Sequence, residues 1–445
     1  MFKLSKFTLF FPYNENYVLL YNTLTKAIAL VTKDLAYALR SGNFNELSKD
    51  ELNELLSNGF LVEKDIDETK LLIYHSYRSI FNYSYLNLVL HITSACNMSC
   101  IYCYEGPKRG LHMDEKVCQN VVKFVKRIVE CRGSRNVVTL LHGGEPLLNY
   151  RILLTYCREI YKLADEYRLK VENILITNGT LLTKDKIDTI SCLVNEVQVT
   201  LDGPRDIHDF RRPFIDGKGT FDVILRNVLE IVDRVQTLSI RINVDKQNVM
   251  YITKLLDLLR DYGLNRRNVL IGFGRVFVPR VSNGRYNPDW IFSYREFVDV
   301  LIGLQKEALR RGFKIVRKIE LRPCPALHDN SFAVDERGKI YKCPVFVWDE
   351  RFAIGNIDDL EIALFRNSFA NYLDFILEVP WQKHLGCPYL PMCYAGCTYE
   401  SIVLKGKINE VCCPRDYFEK LGELLRLYVE SRYGDVLERF SRCRC

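Results

Sequence analysis

From residue 86 onward the chain repeats one unit six times, a short apolar run followed by an amphipathic stretch, and that repeat leaves few folds open. The runs are LNLVLHIT (86–93), VVTLLHG (137–143), NILITN (173–178), EVQVTLD (196–202), LSIRINV (238–244) and VLIGFG (269–274). Between them the spacing predicts helices near 114–131, 149–168, 183–194, 219–234 and 248–261. In the last of these, Val249, Ile252, Leu255, Leu256 and Leu259 recur on one face. Nearly continuous apolar strands are buried on both sides, as happens when helical crossovers cover a parallel sheet. The expectation is an α/β fold over residues 79–290, a parallel sheet open or curled as a partial (β/α)6 TIM barrel. In such folds functional groups collect at the C-terminal ends of the strands.

The flanks read differently. Residues 1–78 hold two short strands, FTLFFP (7–12) and YVLLYN (17–22). LTKAIALVT then leads to a helix near 33–41, a second helix near 48–58 and the strand FLVE. Ser48 with Glu51 forms a capping-box pattern and Gly59 a stop signal. Strands and short helices over this length suggest a winged-helix-like module, followed by a charged helical linker near 66–84. The third region, residues 291–445, begins with a bridging helix. After residue 320 the β/α alternation stops, and short segments are broken by Cys, Pro and Gly. There the expectation is that metal, rather than a large apolar core, holds the chain. Residues 414–440 read as a closing amphipathic helix.

Composition removes several function classes. With 48% hydrophobic residues the chain can bury a large core. No apolar run reaches the roughly 18 residues of a membrane helix, and the first residues lack a signal-peptide core. A cytoplasmic protein without a membrane partner is expected. The net charge of +7 comes from 62 Lys+Arg against 55 Asp+Glu and is spread along the chain, which argues against a nucleic-acid partner. The 16 cysteines are the informative count. Without a signal peptide, clustered cysteines point to metal. Cys118, Cys131, Cys157 and Cys192 stand singly in helical patterns and are expected as buried, small apolar side chains.

The first strand ends in HITSACNMSCIYCYEG, which places Cys96, Cys100 and Cys103 at C-x3-C-x2-C spacing in one loop. No fourth cysteine is near. A closed structural zinc site wants four ligands, whereas a reactive site keeps a position open. Three thiolates on a [4Fe–4S] cluster leave one iron free for a ligand. A zinc knuckle is the bland alternative. The motif CNMSCIYC, with Tyr102 as its aromatic, resembles the CxxxCxΦC hallmark of the radical S-adenosylmethionine (SAM) superfamily. Further strand ends fit the resemblance. HGGEPLL supplies Gly143, Gly144 and Glu145, matching the superfamily's GGE motif, which implies that this backbone and Glu145 hold the SAM amino group. ITNGTLL supplies Thr177 and Asn178, implied near the ribose. VTLDGPRDIHDFRRP supplies Thr200, Asp202 and Arg212, and the guanidinium is implied to clamp the SAM carboxylate. Asn243, at the end of the fifth strand, is a candidate near the adenine or ribose. His142 and His208 are read as structural histidines, and no metal is assigned to either.

The second cysteine set runs Cys324-x13-Gly338-x4-Cys343, then Cys387-x5-Cys393-x3-Cys397, then Cys412-Cys413. This resembles the SPASM domain of radical SAM enzymes, which usually carries two auxiliary [4Fe–4S] clusters. By that resemblance Cys324, Cys343 and Cys397 serve one cluster. Cys387, Cys393 and either Cys412 or Cys413 serve the other, with Cys413 preferred because it leads directly into a helix. Where the family pattern has a further cysteine, this chain has His384, and imidazole can replace thiolate on iron. Cys443 and Cys445 are alternative ligands. A zinc ribbon is the competing reading of the same spacing.

The resemblance implies reductive cleavage of SAM to a 5′-deoxyadenosyl radical, with hydrogen abstraction from a peptide. The favoured substrate is a ribosomal precursor peptide whose leader segment is bound by residues 1–65 through strand addition, giving a thioether or related crosslink. The runner-up is a sulfatase-maturase-type oxidation of Cys or Ser to formylglycine. A metal-stabilised peptide-binding scaffold is the non-enzymatic alternative. A low-potential donor such as flavodoxin or ferredoxin is the expected redox partner. No residue stands out as a catalytic base.

Overall fold

The computed structural model describes residues 1–105, 109–277, 286–316, 324–358, 380–407 and 410–442. Among these residues the contacts define two compact units. One holds residues 1–81, Cys324 and 380–442; the other holds 82–316 and 325–358. Cys443 and Cys445 lie outside the described residues. Among the described residues no helix is long and apolar enough to cross a membrane.

In the first unit β1 (Phe2–Leu4) precedes an antiparallel sheet of β2 (Thr8–Pro12), β3 (Tyr17–Asn22) and β4 (Ile28–Thr32). The helices α1 (Lys33–Ser41) and α2 (Lys49–Ser57) follow, then β5 (Leu61–Glu63), which pairs back onto β1, and α3 (Glu68–Ile80). β3 reads as uniformly apolar because both its faces are covered. Leu20 packs with Val31, Leu39, Leu55 and Phe60, whereas Leu19 and Tyr21 pack with Phe418, Leu421 and Leu425 of the C-terminal helical region. β1 and β4 were not legible in the sequence. Each is short and takes its identity from its partner strand rather than from its own pattern.

The capping box of α2 is formed. Glu51 N donates to Ser48 Oγ at 3.2 Å, and Ser48 N donates to Glu51 Oε2 at 2.9 Å. Gly59 has φ +76°, a left-handed conformation that ends the segment. Ser48→Ala removes one cap worth about 1 kcal/mol. Amide exchange in the first turn of α2 is therefore expected to quicken by about fivefold in the full chain, and unchanged exchange would contradict this.

The second unit is built on one ten-stranded sheet. β6 (Tyr85–Thr93), β7 (Asn136–Gly143), β8 (Lys170–Thr177), β9 (Glu196–Thr200), β10 (Thr237–Val244) and β11 (Val269–Arg275) lie side by side in chain order, all parallel. Each new strand joins the same edge. The sheet therefore has no switch point of the doubly wound kind and curls as a partial barrel, with β12 (Lys314–Ile315) at its far end. The crossovers are α4 (Glu115–Arg132), α5 (Tyr150–Tyr167), α6 (Lys184–Leu193), α7 (Arg205–Arg211) with α8 (Phe221–Ile231), α9 (Ile252–Asp261) and α10 (Tyr294–Arg310). Ile252, Leu255, Leu256 and Leu259 form the buried face of α9 as expected. That helix starts later than the pattern predicts, because the Asn248 carboxamide is spent on the carbonyls of Asp202 and Asn243, at 2.7 and 2.8 Å.

One expectation is corrected. The chain after residue 320 is not held by metal alone. β13 (Ser331–Val334) pairs in parallel with β6, and β14 (Lys339–Tyr341) and β15 (Ala353–Asn356) continue the same sheet antiparallel. Ala333, Tyr341, Val347 and Trp348 form a buried cluster there. All four residues of β13 are buried, so it shows no alternation, and it is too short for a continuous run to be told from a loop. A second correction concerns the single cysteines. Cys118 and Cys157 are buried, but Cys131 and Cys192 are exposed, each on the outer side of its amphipathic helix.

Candidate active site

The loop after β6 is fixed from three directions. Gly144 N donates to Thr93 O at 2.9 Å and Glu145 N to Ala95 O at 2.8 Å, so the loop after β7 lies directly against the stem of the cysteine loop. Ser99 N and Ile101 N donate to the carbonyls of Pro213 and Arg211, at 2.9 and 3.0 Å. Asn97 bridges to the end of β8 through Asn178 Nδ2 and Thr180 Oγ1, both at 2.8 Å. The two glycines are required here. A Cβ on Gly143, which has φ +128°, would fall 2.3 Å from Thr93 O. A Cβ on Gly144 would fall 2.1 Å from Ala95 O.

This loop and the strand ends enclose a cavity of about 250 Å³. Of the residues singled out in the sequence, Cys96, Cys100, Tyr102, Cys103, Gly143, Gly144, Thr177, Asn178, Thr200, Arg212 and Asn243 line it. Glu145 and Asp202 stand behind the wall. Glu145 is fully buried; Thr177 Oγ1 donates to its Oε1 at 2.7 Å, Asn178 N to its Oε2 at 2.7 Å, and Leu147 N to its Oε1 at 3.1 Å. Burial pushes its carboxyl above the usual range, against those three hydrogen bonds. The carboxylate thus ties the end of β7 to the end of β8.

Tyr102 organises the opposite wall. Its hydroxyl donates to Asp202 Oδ2 and accepts from Arg212 Nη1 at 2.7 Å and Asn243 Nδ2 at 3.2 Å. Asp202 also accepts from Asn243 N at 2.9 Å. Arg211 lies 4.9 Å from the Tyr102 ring centroid and pairs with buried Asp245 at 2.7 Å. Burial raises the phenol pKa, so Tyr102 stays a neutral donor that links the cysteine loop to β9, β10 and Arg212.

The two histidines read as structural stand in different places: His142 lines the cavity, whereas His208 is fully buried. His208 Nδ1 accepts from Asp202 N at 3.2 Å. Thr220 Oγ1 spends its proton on Arg212 O, so His208 Nε2–H donates to Thr220 at 3.1 Å. Burial, then the Arg212 and Arg211 charges, hold His208 neutral. His91, Glu105 and His142 bring ligand-type atoms within 4.8 Å of one another. The Nδ1 lone pair of His142 is taken by Gly143 N at 2.7 Å, with Glu105 Oε1 at 3.2 Å, so this group reads as a polar brace between β6 and β7.

Gln198, Arg241 and Arg275 line the cavity and were missed in the sequence. A usable signal was present. Gln198 and Arg241 are polar residues inside otherwise apolar strands, two residues before Thr200 and Asn243 and hence on the same face.

The second cysteine set is divided between the units. Cys343 is buried beside the hairpin of the barrel unit. Cys387, Cys393, Cys397, Cys412 and Cys413 belong with residues 1–81, as does Cys324. Within that unit, burial pushes the Cys393 thiol up to about 12, and the neighbouring Cys413 and Cys387 add to the shift. Tyr394, Ala395 and Gly396 all have positive φ, which wraps the chain tightly after Cys393. A Cβ on Gly396 would fall 1.8 Å from Cys412 O. Cys412 is buried, with its Sγ 3.9 Å from Glu400 Oε2, whereas Cys413 is exposed. His384 is exposed, and its carbonyl accepts from Cys387 N at 2.9 Å.

Residues 90–259, from β6 through α9, match the family model of the Radical SAM superfamily. Residues 90–259 thus form a Radical SAM domain. The cofactors of that family are SAM and a [4Fe–4S] cluster. The chain is 24% identical over 360 residues to the cysteine-type anaerobic sulfatase-maturating enzyme of Clostridium novyi, covering 75% of this chain and 94% of that one. It shares its fold with native anSMEcpe with bound AdoMet and Cp18Cys peptide (TM-score 0.60, 20% identity, 78% of this chain and 98% of that one). The same holds for Streptococcus suis SuiB bound to precursor peptide SuiA (TM-score 0.53, 14% identity, 91% and 97%).

Proposed function

We propose that this radical SAM enzyme modifies a peptide, with a ribosomal precursor peptide as the substrate and a thioether or related crosslink as the product. The observation that carries the SAM chemistry is the meeting of Cys96, Cys100 and Cys103 with the Gly143–Gly144 backbone around one cavity at the strand ends. The donor set fits a cluster. Three cysteines line the cavity, and three thiolates on a [4Fe–4S] cluster leave one iron open to a ligand. A [4Fe–4S] cluster on them would supply the electron that cleaves SAM.

The chain's own residues would do the rest. The Gly143–Gly144 backbone lets the amino end of SAM approach without a side chain in the way. Arg212, steadied by Tyr102, presents a guanidinium to the carboxylate, and Thr177, Asn178 and Asn243 offer polar atoms to the ribose and adenine. Glu145 and Asp202 position these groups from behind rather than by direct contact. In the other unit, Cys387, Cys393 and Cys413 are the proposed donors of one auxiliary cluster, with Cys412 and His384 as further candidates, while Cys324 and Cys397 belong to the donor set of a second. Cys343 is the corresponding donor of the barrel unit.

Two observations favour a precursor peptide. A module of about 80 residues with an antiparallel sheet ending on edge strand β4 precedes the barrel, and an edge strand can take up an added strand. SuiB, whose structure holds its precursor peptide, overlaps 91% of this chain. The formylglycine reading is favoured instead by the sulfatase-maturating relatives. A flavodoxin or ferredoxin in a reducing cytoplasm would supply electrons.

The test is anaerobic. The protein is loaded with iron and sulfide, given SAM and dithionite, and assayed for 5′-deoxyadenosine, which is expected; none from fully loaded protein would reject the proposal. Incubation with a short Cys-containing peptide encoded beside the gene, and separately with a sulfatase-derived Cys peptide, separates the products by mass. Loss of two hydrogens from the first marks a crosslink. Loss of two hydrogens together with exchange of sulfur for oxygen in the second marks formylglycine and overturns the substrate assignment.

A further inference from the structure

Arg241 is a cation placed in the cavity without a balancing acid. It lies in β10 opposite Thr200 of β9, and its guanidinium fills the space beside Gly274 of β11, where a Cβ would fall 1.5 Å from Nη2. The absence of a side chain at Gly274 is what lets the group point inward. Its Nε donates to Asn243 Oδ1 at 3.1 Å. Among the described residues no carboxylate lies within 4.0 Å of the guanidinium, whereas Arg211 beside it is paired with both Asp245 and Asp202. Arginine stays charged in proteins, and a half-buried charge without an acidic partner is costly. Burial depresses its pKa, and the charges of Asp202, Tyr102 and Tyr104 recover only part of the shift.

Arg212 and Arg241 are therefore different tools. Arg212 is held by Tyr102, and its electrostatic environment includes Cys100, which puts it on the cluster side. The charges that act on Arg241 are those of Asp202, Tyr102 and Tyr104. A planar fork with free Nη groups fits a planar carboxylate, which it can hold through two parallel bonds.

We propose that Arg241 is a specificity-determining residue that receives a carboxylate inside the cavity, carried by the substrate or by SAM. The proposal rests on the radical SAM reading, and iron loading and SAM binding by the wild-type protein report on that reading alone. The Arg241 test is the ratio between wild type and Arg241→Gln, with Arg241→Lys as the conservative variant, all as cluster-loaded protein. Two binding arms are read by calorimetry: SAM against decarboxylated SAM, and, on SAM-saturated protein, glutarate against its neutral diamide. Loss of glutarate binding by about tenfold or more in R241Q, with SAM unchanged and partial recovery in R241K, supports a substrate carboxylate. A similar loss for SAM but not for decarboxylated SAM supports the cofactor carboxylate. Unchanged affinity in both arms overturns the proposal. So does a melting temperature lowered equally in R241Q and R241K with no preference for the acid over its neutral analogue, which would make Arg241 a structural residue.

Discussion

Alanine at Cys96, Cys100 or Cys103 is expected to lower 5′-deoxyadenosine formation by more than about 100-fold, beyond the loss seen when only an outer partner of a metal site is removed. The three side chains are only partly buried and line a cavity rather than pack in a core. Their removal should leave the melting temperature of the unloaded protein within about 2 °C of wild type, since a substitution that opens no core cavity costs little. The pairing of these readouts matters. Loss of activity with loss of stability would point to a structural site, whereas loss of activity and of bound iron in a folded protein points to a cluster. An auxiliary-set variant such as Cys393→Ala should still cleave SAM while binding less iron.

The second large effect belongs to Gly144→Ala. The added Cβ would stand 2.1 Å from Ala95 O and 2.6 Å from its carbon, both backbone atoms next to Cys96. No rotamer relieves a backbone clash. The hydrogen bond from Glu145 N to Ala95 O must lengthen, and the cysteine loop must shift away from β7. The cost is about 1–3 kcal/mol of stability, as for other overpacked sites. The larger loss falls on SAM: affinity is expected to drop by about tenfold or more, because the shift moves the loop that carries the first cysteine away from the Gly143–Gly144 backbone. Measured SAM affinity and melting temperature test this, and a variant with wild-type values for both would contradict the packing described here.

Much of this site was visible in the sequence because its residues sit where strands stop, and strand ends are marked by a change from apolar runs to Gly, Asn, Thr and Cys. Cys96, Gly144, Asn178, Thr200 and Asn243 all follow that rule. What the pattern does not carry is direction. Glu145 and Asp202 stand at the right strand ends, yet their carboxylates turn back into the wall to meet Asn178 N and Tyr102 Oη. Arg241 sits within a strand, where an arginine is easily taken for a solvated edge residue, and only its position two residues before Asn243 marks it as facing the cavity. The fold divides in the same way. β6 to β11 are long enough to show their burial, and Ser48–Glu51 announces α2. β13 is four residues placed by pairing with β6, a contact across more than 200 positions of chain that no local pattern encodes.

The central claim is that Cys96, Cys100 and Cys103 hold an iron–sulfur cluster with one iron open to SAM. Electron paramagnetic resonance of dithionite-reduced, anaerobically loaded protein, taken on a variant lacking Cys324, Cys343, Cys387, Cys393, Cys397, Cys412 and Cys413 and compared with and without SAM, tests it most directly. The account predicts a reduced [4Fe–4S] signal whose g-values move when SAM is added and which vanishes in Cys100→Ala. Protein that binds zinc at these cysteines and gives no such signal, or a signal indifferent to SAM, would contradict it.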